Sequence, residues 1–287
     1  MSISDKRSAI FVLVVAICAV SSAAPLVKSL DLDPLLIAFW RTTMVSCLLA
    51  VSLRSDHLPI SRKNILLSLL AGLFLALHFW SWFSSLQRIG SLRSTTLVCL
   101  NPIWVGILEL VIWRIRHQKH FWIGTTLALV GIILMSSHSS DTSNWQLEGD
   151  LLAILGGLLG AAYLLIGQKV RQEVAIQPYG FLVCTSAALC LGVLCLWFDL
   201  RFFAHPTSAW ITLIALAIGP QFLGHIGLNY CLKKLPASVV SLALLLEPAG
   251  ASLLSLLFLG EIPLQQEVVG AIIILLGVAI GLRSLKY

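Results

Sequence analysis

Charge is what this sequence has least of. Only 19 of its 287 residues are Lys or Arg and 13 are Asp or Glu, 11% together, against about 25% in an ordinary soluble domain. A water-facing surface of this size cannot be coated with so few charges, which excludes a soluble enzyme and a nucleic-acid-binding module. With 58% hydrophobic residues, a disordered chain is excluded as well. Paired cysteines are also missing. Cys18, Cys47, Cys99, Cys184, Cys190, Cys195 and Cys231 lie in or beside apolar stretches and form neither a C-x-x-C metal pattern nor a disulfide framework, so they read as small core residues. No D-x-x-x-D or H-E-x-x-H occurs. No polar segment is long enough for a separate soluble domain.

What is present is a series of long apolar runs. A helix needs about 20 mostly apolar residues to cross a hydrocarbon core, and ten such stretches follow one another: 8–27, 34–53, 64–86, 92–113, 121–137, 149–167, 178–198, 208–230, 238–259 and 267–282. The first, with Lys6 and Arg7 before it and Ser22-Ala23-Ala24 near its end, has the outline of a signal peptide. Nine further spans behind it make it a first transmembrane helix.

Lys and Arg alternate between the connections. With a cytoplasmic N-terminus, fourteen of the nineteen fall in inner segments and four (Lys28, Arg88, Arg93, Arg201) in outer ones, while Arg41 lies inside a span. Eight of the thirteen acids fall outside. This bias places both termini in the cytoplasm and makes the chain a multi-pass membrane protein. It also explains the basic balance of +6 without nucleic acid.

The chain repeats itself. A shift of 146 residues lays Leu100 on Leu246, Pro102 on Pro248, Gly124 on Gly270 and Gly131 on Gly277 without a gap. The expected organisation is one five-helix repeat over 1–139, an outer linker over 140–148, and a second repeat over 149–287. Five spans is an odd number, so the second repeat enters the membrane inverted. Inverted repeats make two conformations nearly equivalent, one open to each side, as alternating access requires. Pro102 and Pro248 each interrupt a helix at mid-membrane, and freed backbone at that depth is tolerated where it is buried or lines a cavity. Matched interruptions point to the binding site.

These residues resemble the ten-helix EamA-type exporters of the drug/metabolite transporter superfamily. The resemblance rests on the repeat, on Phe39-Trp40-Arg41, and on Leu246-Glu247-Pro248 through Gly260-Glu261, followed by Gly270 and Gly277. The first half departs from the pattern: Arg114-Ile115 stand where Gly-Glu is expected, and Asn101 replaces the acid before the proline. The resemblance implies an all-α membrane protein that is not an enzyme and carries small metabolites, commonly amino acids or related compounds, out across a bacterial inner membrane. It would work in the bilayer as monomer or homodimer, with no cofactor and with the proton as candidate coupling ion. A membrane-embedded enzyme or a flippase for lipid-linked substrates is the alternative.

Polar residues at depth mark the expected pathway. Arg41 either holds a substrate carboxylate or phosphate or forms a structural ion pair. Glu247 either binds an amine, carries a proton, or bonds backbone loosened by Pro248. Glu109 is expected to snorkel or to pair with Arg114 or Arg116. His78 and Trp82 on the third span and Gln221, His225 and Asn229 on the eighth form two polar stripes, joined by Asn101 and Tyr163. Trp40 either stacks on cargo or packs. Gly156-x-x-x-Gly160 and Gly277-x-x-x-Gly281 read as close helix contacts.

Overall fold

A computed structural model describes residues 3–53, 60–89, 91–136, 144–259, 262 and 264–283. Among them every regular element is a helix: α1 Ile3–Ser21, α2 Ala23–Lys28, α3 Pro34–Val51, α4 Arg62–Arg88, α5 Ser91–Val98, α6 Asn101–Trp113, α7 Lys119–Ser136, α8 Asn144–Arg171, α9 Ile176–Trp197, α10 Thr207–Leu216, a π segment Ala217–Ile226, α11 Gly227–Cys231, α12 Ala237–Leu244, α13 Glu247–Leu259 and α14 Gln265–Leu282. Eight spans are long and apolar enough to cross a membrane, and Lys119–Leu134 and Val268–Leu282 are shorter apolar helices. α8 starts inside the segment expected to be the outer linker; residues 140–143 of that segment lie outside the described residues.

Helix ends follow local chemistry. Asp33 caps α3 by accepting from Leu35 N at 2.8 Å, with Pro34 at the first helical position. Ser61 caps α4 through Asn64 N. α6 ends on Arg114, whose φ of 57° is left-handed, a conformation glycine adopts without the steric cost an arginine bears.

The expected fourth and ninth spans are each two helices. α5 stops at Val98 and α6 starts at Asn101; α12 stops at Leu244 and α13 starts at Glu247. Pro102 and Pro248 cause this, because a proline cannot donate to the carbonyl four residues back. α5, α6 and α7 begin and end at positions that the 146-residue shift carries onto the boundaries of α12, α13 and α14.

Packing follows the same rule. α7 lies against α14, α3 against α9, and the contact of α4 with α8 is matched by that of α1 with the π segment and α11. On the α7–α14 seam a Cβ on Gly124 would meet Gly277 O at 2.5 Å, and one on Gly131 would meet Gly270 O at 2.6 Å. Exchanging each residue for its counterpart turns one contact into the other. Polar contacts join residues that the alternating topology puts at the same end: Arg88 with Glu148 at 3.2 Å, Arg93 with Asp150 at 2.6 Å, Asn64 with Glu173 at 2.7 Å, and Lys234 with Ser8 at 3.0 Å. The outer surface of the bundle is apolar, with Phe11, Ile133, Leu196 and Leu257 all exposed, as lipid contact requires.

Candidate functional site

Arg41 is the centre of the polar interior. It sits on the inward face of α3 with none of its surface exposed. Nε donates to Gln221 Oε1 at 3.0 Å, and Gln221 Nε2 donates to Cys184 Sγ at 3.6 Å, which fixes the amide. The guanidinium carbon lies 4.1 Å from the Phe79 ring centroid and 5.4 Å from that of Phe83, where the ring faces attract the cation. Nη1 and Nη2 have no hydrogen-bond partner among the described residues. A buried donor without a partner costs about 1–3 kcal/mol, so two on one buried fork mark a place built for an acceptor.

The two polar stripes meet here. His78 and His225 approach with ring centroids 6.1 Å apart, His225 stands edge-on to Phe79 at 4.9 Å, and Tyr163 reaches His225 at 6.1 Å. His78 Nδ1 bonds Gly156 O at 2.7 Å, and its ring stacks on Trp82. Asn229 donates to Tyr163 Oη and to His225 O. The π segment explains the second stripe: Pro220 lacks an N–H, the turn widens, and Gln221 and His225 stay on one face. Further buried polar atoms have no partner among the described residues: His225 Nδ1, Trp82 Nε1, Asn101 Oδ1, Asn229 Oδ1 and Tyr179 Oη.

The two helix breaks face this cluster. Asn101 Nδ2 donates to Val98 O at 3.1 Å, and Cys99 Sγ crosses to the other half to meet Leu244 O at 3.7 Å. Gly157 lets α8 approach Val98 O, and Gly160 lets it approach His78 and Asn101. Glu247 is buried at the start of α13 and attracts Arg41, although no ion pair within 4 Å joins them among the described residues.

A model of the EamA-like transporter family matches the chain twice, over residues 7–137 and again over 147–283. The chain belongs to the EamA-like transporter family. It is 25% identical over 276 residues to the threonine/homoserine exporter RhtA of Escherichia coli (strain K12), which covers 92% of this chain and 88% of that one. It is 29% identical over 216 residues to the uncharacterized transporter YwfM of Bacillus subtilis (strain 168), covering 74% and 71%. A solved crystal structure shares the fold at a TM-score of 0.80, with 16% identity over 98% of this chain and 99% of that one. This EamA-like chain is therefore a multi-pass membrane transporter of small molecules.

Of the residues expected in its pathway, Arg41, His78, Trp82, Asn101, Tyr163, Gln221, His225, Asn229 and Glu247 converge, with Pro102 and Pro248 beside them. Trp40 does not join them. One residue along a helix is a rotation of about 100°, so with Arg41 turned inward Trp40 points elsewhere: it donates to Phe202 O at 3.0 Å and packs on Phe39, Phe203 and Trp210. Glu109 pairs with His117 Nε2 at 2.6 Å and not with Arg114 or Arg116, because α6 ends in the left-handed turn at Arg114 and the chain doubles back. Sequence reasoning passed over Phe79, Phe83 and Cys184, which look like any other apolar residues, and Pro220, whose place inside an apolar run was the available signal.

Proposed function

We propose that this EamA-like protein is a secondary transporter that exports small polar metabolites, amino acids or close relatives, across the bacterial inner membrane by alternating access between two inverted five-helix repeats. The carrying observation is the unpartnered Arg41 fork at the centre of the bundle. Two other buried charges are already committed: Glu109 to His117, and Arg171 to the carbonyls of Asn229 and Val174. Among the described residues Arg41 and Glu247 remain, one buried charge of each sign. Such a site is electrically balanced for a zwitterion, with the planar fork suited to a carboxylate and the acid suited to an ammonium group. A phosphate dianion would bring unbalanced charge into the interior, at high cost. The name of the RhtA relative points to the same chemical class.

The deciding experiment is flux from proteoliposomes over an amino-acid panel that includes threonine and homoserine. Movement of a zwitterion with intact protein is expected; if no solute moves, the reading fails. A second measurement addresses orientation. A reporter fused after Asp141 is expected to signal outside the cytoplasm and one at Tyr287 inside, and a cytoplasmic signal at Asp141 would overturn the topology.

A further inference from the structure

The geometry points to Glu247 as a proton carrier whose protonated form donates to the Leu244 carbonyl and closes the gap between α12 and α13. The 146-residue shift that superposes the two helix breaks also lays Asn101 on Glu247 and Val98 on Leu244. In the first half the residue before the proline closes its own break: Asn101 Nδ2 donates to the freed Val98 carbonyl at 3.1 Å. In the second half the equivalent side chain is a carboxylate, which has no hydrogen to give. Leu244 O is met instead by the thiol of Cys99, a weak donor reaching over from the other half at 3.7 Å. Glu247 itself makes no hydrogen bond among the described residues, although it is buried.

A proton changes this arrangement. The neutral acid has an O–H, and its side chain is one methylene longer than that of Asn101, which already spans the same three-residue interval. Protonated Glu247 therefore turns back onto the end of α12, and ionised Glu247 turns to Arg41 and to any ligand cation between them. Proton and ligand ammonium exclude each other at one pair of oxygens. The proton taken up from water on one side is released as H⁺ to the other, with no other bond made or broken. The groups facing the acid are Arg41 from α3 and Cys99 from the α5–α6 link, with His78, Tyr163, Cys184 and His225 around Arg41; α1 brings Ser21 against Gly250 on the same helix. This inference rests on the transporter reading but can fail separately from it.

The first measurement needs no cargo, since the probe is the proton itself. Infrared difference spectra of the purified full-length protein between alkaline and acid buffer are expected to show a protonated-carboxyl band that disappears in Glu247→Gln. In Cys99→Ala, Leu244 O loses its other donor, so the band is expected to move and its pH midpoint to rise by about half a unit; Cys99→Ser keeps a donor and is expected to stay within a smaller shift. A band that survives Glu247→Gln overturns the assignment, and a band indifferent to Cys99→Ala overturns the bond to Leu244. If Glu247→Gln does not fold, the Cys99 pair, with native Glu247, decides alone. In vesicles the same Glu247→Gln variant is expected to lose accumulation driven by a pH gradient. Wild-type protein that moves no solute defeats the transporter reading, whereas gradient-driven flux unchanged in Glu247→Gln defeats only the inference.

Discussion

Arg41→Lys weakens transport affinity for a carboxylate-bearing solute by ten- to a hundredfold while the protein still inserts and folds. Lysine keeps the positive charge in the core, so the electrostatic partner of Glu247 is retained. It loses the planar fork, the Nε bond to Gln221 Oε1 and the guanidinium contact with the Phe79 ring. A hydrogen bond to a charged group is worth about 1.5–3 kcal/mol, and each 1.4 kcal/mol is about tenfold in affinity. The loss falls on the apparent KM measured by flux, since the lysine touches the bound solute and leaves the helix movements alone. An unchanged KM would mean that Nη1 and Nη2 of Arg41 do not face the cargo.

Gly124→Ala and Gly277→Ala lower the unfolding midpoint in detergent by the largest amount expected of any single methyl group in this chain. The Cβ of an alanine at 124 would stand 2.5 Å from Gly277 O, and one at 277 would stand 2.5 Å from Ala128 N. Both neighbours are backbone, so neither can rotate aside, and the helices must separate. Overpacking of this kind costs about 1–3 kcal/mol. Gly219→Ala is the control: its nearest neighbour is Ser22 Oγ at 3.9 Å, so the midpoint holds, or rises slightly with the better helix propensity of alanine. Seam variants as stable as the control would show that α7 and α14 do not meet through these glycines.

The bundle was legible because lipid imposes length. A helix that must bury its backbone polar groups for about 30 Å leaves a run that can be counted, and each expected span has a helical counterpart. The breaks at Pro102 and Pro248 were legible because proline has one physical consequence wherever it stands in a helix. The interruption of the first span at Ser22, where α1 gives way to α2, was not anticipated, although Ser21, Ser22 and Pro25 break the apolar run at that point. Within the site, residue type located Arg41, Glu247 and both histidines, which are expensive at depth and so face inward. What type alone could not supply was rotation. Trp40 and Arg41 are adjacent in sequence and point to different places. Phe79, one of twelve phenylalanines, became part of the site only through its position under the guanidinium. Pairing between short-range candidates failed for a similar reason at Glu109, where a backbone turn brought His117 nearer than two arginines.

The seam between α7 and α14 has one more consequence. Each of its contacts is returned with the helices exchanged, so the surface is its own partner, and two separate half-length chains inserted in opposite directions would meet through the same glycines. Two identical copies, however, carry every residue twice. Joining the halves in one chain fixes their ratio at one to one and releases them from identity. Only a joined chain can hold an amide at residue 101 and an acid at residue 247, so that Arg41 is matched with one acid beside the helix breaks where twin subunits would carry an acid at both breaks or at neither.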